Sequence, residues 1–559
     1  MTTTFGHRFY ITTSIPYVNA APHIGHALEY VQTDAFARYH RLIGADTRFL
    51  AGTDENSLTN VLAAEREGVP VADLVDRNAR AFLRLTEYLH IFNDDFIRTA
   101  AEPRHIEGAR KLWAACDRAG DIYTRYYSGL YCVRCEQFYT EEEAPDGLCP
   151  EHHIPLELVE EENYFFRLSR YQDDLARAID SGALRIIPET RRNEVRAFIA
   201  RGLEDFSVSR SRTRARGWGI AVPGDPHQVM YVWFDALANY ITALGYAHDD
   251  ELYPRYWVEN PNRVHVIGKG ILRFHAVYWP AMLMSAGEPL PTTIVVHGYL
   301  TIGGEKMSKS LGNVVDAADL TARYGADAVR YWMLRQVPPT QDADYTDGKL
   351  ERRYNADLAN DLGNLLNRTV SMFRRYRAGV VPIPGQSDAT DQDLEAVAAG
   401  LAGTIEEAMS RDDDPQVTLA AIWDLVVRAN RYVEETVPWS LAKAERGGDA
   451  TAAERLDTAL YHLAEALRLI APVPPALPAR DGGAHRRADR LRAGDTFLAR
   501  GAHLGPASTR NPGQRAAPDF PEDRGMTRDA SYVIRHAYCV LRISPLSPGG
   551  RGAGCEGSA

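Results

Sequence analysis

His23-Ile24-Gly25-His26 decides the fold, together with the strand that delivers it and the helix it opens. Upstream, Arg8 to Ser14 reads as a strand in which Phe9, Ile11 and Thr13 alternate with Tyr10, Thr12 and Ser14, before Pro16 stops the ladder. Downstream, Leu28, Val31, Ala35, Tyr39 and Leu42 recur every three or four positions until Gly44, the pattern of an amphipathic helix and its stop. Phe49 to Gly52 reads as a second short strand. Together these make a βαβ unit whose helix N-terminus carries two imidazoles around a glycine. Free N–H groups at such a terminus favour an anion, and the rings can donate hydrogen bonds to it. Gly25 lets a flat ring or a phosphate lie directly on the backbone. The stretch is therefore a candidate nucleotide site, although an HxxH pair also arises by chance on structural helices.

A second motif lies far down the chain. Gly303-Gly304-Glu305-Lys306-Met307-Ser308-Lys309-Ser310 follows a predicted strand, Thr293 to Val296. Only six of the 63 basic residues are lysines, yet Lys306 and Lys309 sit three apart here and Lys269 lies in a Gly268-Lys269-Gly270 turn. In an arginine-dominated chain, lysines gathered in glycine loops point to a compact, flexible ammonium that follows developing phosphate charge. A solvated surface turn is the plainer alternative.

With 559 residues the chain is too long for one core, and about three domains are expected. No run of eighteen apolar residues exists and no basic-then-apolar leader opens the chain, so neither membrane nor export is indicated. The net charge of −12 does not argue against nucleic acid, because a local basic face can sit on an acidic body. Three of the six cysteines fall within eighteen residues, which suits a metal knuckle in a reducing cytoplasm better than a disulfide framework. Cys132-Val133-Arg134-Cys135 and Cys149-Pro150-Glu151-His152 offer four tetrahedral ligands, a closed Cys₃His set typical of one structural Zn²⁺. His153 is an alternative fourth ligand, with the two-residue spacing favouring His152.

Between 116 and 228 strand–helix alternation breaks down, and it resumes with Met230 to Asp235, which reads as a strand, then a helix from Ala236 to Leu244. Arg263 to Ile267 reads as a strand and Leu272 to Ala286 as a helix. Trp233, Tyr240, Phe274, Tyr278 and Trp279 crowd this region; such aromatics are more often core than pocket. From Tyr345 to about 470 the pattern is helical. Asn360, Asn364 and Arg368 are spaced four apart and share a helix face, which in a bundle usually meets solvent but is also suited to reading base edges. Pro438-Trp439 adds an aromatic ring on which a base can stack. After Pro472 an Arg, Gly, Ala and Pro mixture runs to Ala559, as a frame-shifted or a disordered segment would.

Taken together, the chain resembles class I aminoacyl-tRNA synthetases, with His23 to His26 matching the HIGH signature and Lys306 to Ser310 matching KMSKS letter for letter. Over about residues 5 to 470 it is most similar to the methionyl-tRNA synthetase family. That resemblance implies an α/β fold: a doubly wound parallel-sheet (Rossmann) catalytic domain, split by a small zinc-bearing insertion and followed by an all-α anticodon-binding bundle. The expected divisions are 1–115 and 229–344 for the two catalytic halves, 116–228 for the insertion, 345–475 for the bundle and 476–559 for the atypical tail. The insertion, roughly 110 residues, is too small to hold both a knuckle and the larger editing domain of the leucine, isoleucine and valine enzymes.

The resemblance also implies the chemistry. ATP with Mg²⁺ would be held by His23, Gly25, His26, Gly268, Lys269, Lys306, Ser308 and Lys309, with His23, His26, Lys306 and Lys309 catalytic. L-Methionine would be bound by Ile15, Tyr17, Asp54, Trp233, Tyr240, His275 and Trp279, an aromatic and aliphatic box suited to a soft thioether. Asn360, Asn364, Arg368 and Trp439 would meet the CAU anticodon of initiator and elongator tRNA(Met). The product is methionyl-tRNA, made through a methionyl-adenylate in the cytoplasm, by a monomer or a homodimer. Three positions depart from common family wording: Ile15 replaces leucine, Asn56-Ser57 stands where His-Gly is frequent, and Gly270 stands where aspartate often follows Gly-Lys. Another class I synthetase, or a small-molecule adenylate-forming ligase, is the alternative; the latter shares the nucleotide motifs but has no use for a bundle of this kind.

Overall fold

Six short apolar segments pair side by side as the central sheet: β1 (Arg8–Thr12), β2 (Asp46–Thr53), β3 (Asp95–Arg98), β4 (Arg185–Ile187), β5 (Arg263–Gly268) and β6 (Thr293–His297). The structure, a computed structural model, describes residues 7–133, 137–139, 142–150, 153–248, 251–307, 313–411 and 414–470. Cys135, His152, Ser308, Lys309, the side chain of Lys306 and the stretch 476–559 lie outside the described residues. Every pairing in the sheet is parallel, in the order β3-β2-β1-β5-β6-β4. Ile11 stands level with Phe49 on one side and Val264 on the other. Buried Tyr10, Ile11, Phe49, Leu50, Val266 and Ile267 give the near-continuous apolar runs that a sheet covered on both faces requires.

The chain winds outward from β1 to β3 in one direction and from β5 to β6 in the other. The order therefore reverses between β1 and β5, and a crevice is expected at their carboxyl ends. α1 (Ile24–Leu42) leaves the loop after β1 and buries Leu28, Val31, Ala35 and Tyr39. β4 comes from the middle of the stretch where sequence alternation breaks down; three residues are too few for periodicity to reveal.

The rest of that stretch is largely antiparallel, built on a long ribbon of Ile122–Cys132 against Glu157–Phe166. The strand expected over Met230 to Asp235 is not formed. A strand ends at Met230 and a helix, Val232–Thr242, begins two residues later. The run Tyr-Val-Trp-Phe has strand propensity, but burial of Val232, Phe234, Ala236, Leu237 and Tyr240 overrides it. Leu300–Ile302 and Glu305–Lys306 form a tight hairpin, with Gly303 and Gly304 at φ +62° and +81°, the left-handed pair that a type I′ turn needs.

Residues up to Asp319, with Thr340–Asp344, form one compact unit; Leu320–Pro339 and the described residues from Tyr345 onward form a second. The second unit is helical, including Tyr354–Gly363, Asn364–Arg377, Ala389–Arg411, Pro415–Thr436, Pro438–Arg446 and Ala450–Ile470. Leu358, Leu365, Ile422, Val426, Leu460 and Leu463 are among its buried core residues. Among the described residues no helix is long and apolar enough to cross a membrane.

Candidate active site

The two histidines cap α1 reciprocally. His23 Nδ1 accepts from the Gly25 N–H at 3.1 Å, and His26 Nδ1 accepts from the His23 N–H at 3.2 Å. Accepting at Nδ1 puts the proton of each neutral ring on Nε2, so both keep an Nε2–H donor. Burial, then the neighbouring His23 and His297, push His26 well below the usual histidine range, which keeps it neutral. One expectation is corrected here: the first N–H groups of the helix are not free. Ile24 N–H donates to Val315 O at 3.0 Å, and Gly25 N–H to the His23 ring. Anion attraction at this end falls to the ring donors and the helix dipole. A Cβ on Gly25 would stand 2.9 Å from His23 Cε1 and 3.4 Å from Met307 Cε, so glycine lets the first motif meet the second.

Behind the helix, Glu29 Oε1 accepts from the Ser14 N–H and hydroxyl at 2.7 and 2.6 Å, while Glu29 Oε2 lies 2.8 Å from His297 Nε2. This bridge ties α1 to the ends of β1 and β6. Lys269, in the loop after β5, has its ammonium 2.6 Å from Asp342 Oδ2 and 4.7 Å from the Tyr299 ring centre. Asp344 braces the hairpin of the second motif, accepting from Gly304 N–H at 2.9 Å and the Thr301 hydroxyl at 3.1 Å.

The aromatic residues form one cluster. Trp233 stacks on Phe274 at 3.7 Å between centroids and lies 6.3 Å from Tyr17 and 6.5 Å from His275. His275 Nδ1 donates to Ile271 O at 2.9 Å, so Nε2 accepts from the Tyr240 hydroxyl at 2.7 Å. Burial pushes His275 down to about 4. Tyr240 packs at 4.0 Å against His265, which accepts from Trp279 Nε1 at Nε2 and donates from Nδ1 to Thr12 Oγ1. Ile15 Cγ2 lies 3.0 Å from where a Cβ on Gly52 would be, which keeps Ile15 against this cluster. Tyr278 instead stacks on Phe206 and belongs to the core. Asp54 is buried at the end of β2, held by its N–H to Pro16 O at 2.9 Å and bridged to Tyr17. Ser57 is the N-cap of the next helix, accepting from Thr59 N–H at 3.0 Å, while Asn56 N–H donates to Asp54 Oδ1 at 3.3 Å.

Sequence reasoning missed Glu29, His265 and His297. Histidines interrupting apolar strands, at positions 265 and 297, were the available signal.

Of the four knuckle residues, Cys132 and Cys149 are described. Both are buried in a small cluster with Tyr139 and Ala144. The Cys149 carbonyl accepts from His153 N–H at 2.8 Å. Among the described residues no three His, Cys, Asp or Glu side chains are gathered to hold a metal. In the second unit Asn360 and Asn364 are exposed and Arg368 is half-buried. The Arg368 guanidinium lies 5.9 Å from the Trp439 ring centre, and Trp439 is 46% exposed. Val437, at φ +45°, turns the chain into Pro438 and Trp439.

The family model described as tRNA synthetases class I (M) matches residues 9–157 and 153–370. The methionine–tRNA ligase of Brucella suis biovar 1 (strain 1330) is 46% identical over 476 residues, covering 84% of this chain and 90% of that protein. The methionine–tRNA ligase of Mycobacterium tuberculosis (strain CDC 1551 / Oshkosh) is 47% identical over 482 residues, covering 85% and 90%. The solved structure of Mycobacterium tuberculosis methionyl-tRNA synthetase in complex with methionyl-adenylate is similar at a TM-score of 0.81 and 45% identity, over 87% of this chain and 94% of that one. Matched by this family model over more than half its length and by these relatives at 45–47% identity over most of both chains, this chain belongs to the methionyl-tRNA synthetases of class I.

Proposed function

We propose that the chain charges tRNA(Met) with L-methionine in the cytoplasm, at the expense of ATP and through a methionyl-adenylate. The observation that carries this is the meeting of the His23/His26 cap with Met307 across Gly25, beside an aromatic cluster whose polar end is the Tyr240–His275 pair. The thioether packs among Ile15, Tyr17, Trp233, Tyr240, His275 and Trp279, and the Asp54 carboxylate receives the α-ammonium. ATP lies over Gly25 and Gly268. The Nε2–H groups of His23 and His26 donate to its phosphates, joined by Lys306, Ser308 and Lys309 of the hairpin, and Lys269 completes the cationic set by leaving Asp342. The methionine carboxylate attacks the α-phosphorus in line, and pyrophosphate leaves as these donors meet the charge developing on it. One well-aimed donor of this kind contributes about 10²–10³ in rate. The 2′-hydroxyl of the tRNA's terminal adenosine then attacks the adenylate carbonyl, and AMP leaves.

Mg²⁺ bound with ATP neutralises phosphate charge. The buried Cys132 and Cys149 fit a closed structural Zn²⁺ site completed by Cys135 and His152. Residues 1–115 and 229–344, together with β4 and less Leu320–Pro339, which group with the helices, serve as the catalytic halves; the remainder of 116–228 serves as the zinc-bearing insertion and 345–475 as the anticodon bundle, with 476–559 as an appended tail. In the bundle, Asn360 and Asn364 read base edges while Trp439, with Arg368 beside it, stacks on an anticodon base. Incubation with ATP, methionine and tRNA(Met) should yield acid-precipitable methionyl-tRNA. A protein that forms adenylate yet never charges this tRNA would contradict the reading.

A further inference from the structure

We propose that Trp218 is a positioning residue for the α-ammonium of methionine: through the peptide group that joins Glu55 to Asn56, its indole N–H aims the Asp54 carboxylate. This rests on the functional reading above, which gives Asp54 that ligand.

The turn after β2 is pinned group by group. Asp54 N–H donates to Pro16 O at 2.9 Å, and Asp54 O accepts from Asn60 Nδ2 at 3.2 Å. Glu55 N–H donates to Thr99 Oγ1 at 2.9 Å, just past β3. Glu55 O accepts from Trp218 Nε1–H at 2.8 Å, and Asn56 N–H donates to Asp54 Oδ1 at 3.3 Å. Asp54 and Glu55 are buried, where backbone groups need such partners.

The last two bonds belong to one rigid unit. Glu55 C=O and Asn56 N–H lie in the same planar peptide group. A donor that fixes the carbonyl therefore fixes the direction of the N–H that holds the Asp54 carboxylate, and each bond polarises the other. The indole offers a single donor and no acceptor, so its whole hydrogen-bonding capacity is spent on this peptide.

The way Trp218 is delivered is the third observation. Pro16, Asn60 and Thr99 come from segments flanking the turn. Trp218 comes from the stretch between Ser209–Ser211 and Ala221–Val222, two short strands that both pair with Asp225–Met230. Around it, Arg216, Gly217 and Gly219 lie at φ +54°, +78° and +124°. Arg216 is not a glycine, so its left-handed backbone is strained and must be held by its surroundings. Gly217 N–H donates to Arg212 O at 2.9 Å and Trp218 N–H to Ala215 O at 3.0 Å, while the Arg214 guanidinium lies 4.8 Å from the Tyr131 ring centre, next to Cys132. Arg216 and Gly217 are exposed, whereas Trp218 is half-buried against the turn.

The test measures methionine-dependent ATP–pyrophosphate exchange by the full chain, with L-methioninol and its desamino analogue as competitive inhibitors. Trp218→Phe keeps an aromatic ring and deletes the N–H. It should raise the KM for methionine and the inhibition constant of L-methioninol about fivefold, the effect of one neutral hydrogen bond, with the desamino analogue, the KM for ATP and kcat within about twofold. Gly217→Ala, whose Cβ would meet nothing within 4 Å, strains only the backbone that presents the indole. It should raise the same two constants and add little in the Trp218→Phe background. An unchanged KM for methionine in Trp218→Phe, an equal rise for both inhibitors, or full additivity of the two substitutions overturns the proposal while leaving the functional reading intact. Absence of methionine-dependent exchange in the unsubstituted protein would overturn that reading, and this proposal with it.

Discussion

Tyr240→Phe removes one oxygen from the polar end of the aromatic cluster. His275 Nε2 then loses the donor that stands 2.7 Å away, while Nδ1 stays committed to Ile271 O. His275 is buried and water cannot replace the lost partner without disturbing Trp233 and Trp279 around it. Leaving such an acceptor unsatisfied costs about 1–3 kcal/mol, or about 5- to 150-fold in an equilibrium. If the cluster is the methionine pocket, part of that cost falls on substrate binding. The KM for methionine in pyrophosphate exchange should rise about tenfold, with the KM for ATP and kcat within about twofold. Tyr10→Phe is the control. Its hydroxyl donates to the Tyr240 carbonyl at 2.8 Å, so its loss weakens the same helix contact without touching the polar end. It should lower resistance to thermal inactivation and leave the KM for methionine unchanged. Equal KM values for Tyr240→Phe and the unsubstituted protein, or an equal rise in Tyr10→Phe, would refute the assignment.

Three further outcomes are expected. Burial holds His275 at about 4 against an ordinary value of 6.5. The unfolded chain therefore binds its proton first as pH falls. The contribution to stability is complete above about pH 6.5 and is lost towards pH 4, a total of about 3 kcal/mol. His275→Gln should flatten the pH dependence of the urea midpoint between those limits; an unaltered slope would contradict the buried neutral ring. Trp439→Ala should lower kcat/KM for tRNA charging at least about tenfold, from the loss of one stacked base, with pyrophosphate exchange within about twofold; equal loss of both activities would exclude an anticodon role. Metal analysis should find about one zinc per chain, released by Cys132→Ser together with protease protection of the insertion; intact protein without zinc would show the knuckle assignment to be wrong.

The parts of this site written in short contiguous runs were legible in the sequence. His23 to His26 announced a helix start because cap chemistry is local, and the glycine pair at 303 and 304 announced a loop, which the structure closes as a hairpin because glycine takes that left-handed turn cheaply. What required the fold was contact between distant segments. Glu29 looks like one more charged helix residue until β6 brings His297 to it, and Lys269 looks like a free phosphate ligand until Asp342 meets it. The strand reading of Met230 to Asp235 failed because local propensity was overruled by burial, and β4 was invisible because three residues carry no period. The free helix terminus expected at Ile24 and Gly25 was occupied by Val315, almost three hundred residues away, and by the His23 ring itself.

The most direct measurement is ATP–pyrophosphate exchange by the purified full chain with each of the protein amino acids in turn. Exchange that depends on methionine, with leucine, isoleucine, valine and the others at background, is the result predicted from an aromatic box beside the two nucleotide motifs. Exchange driven equally well by another amino acid, or absent with methionine, would contradict it.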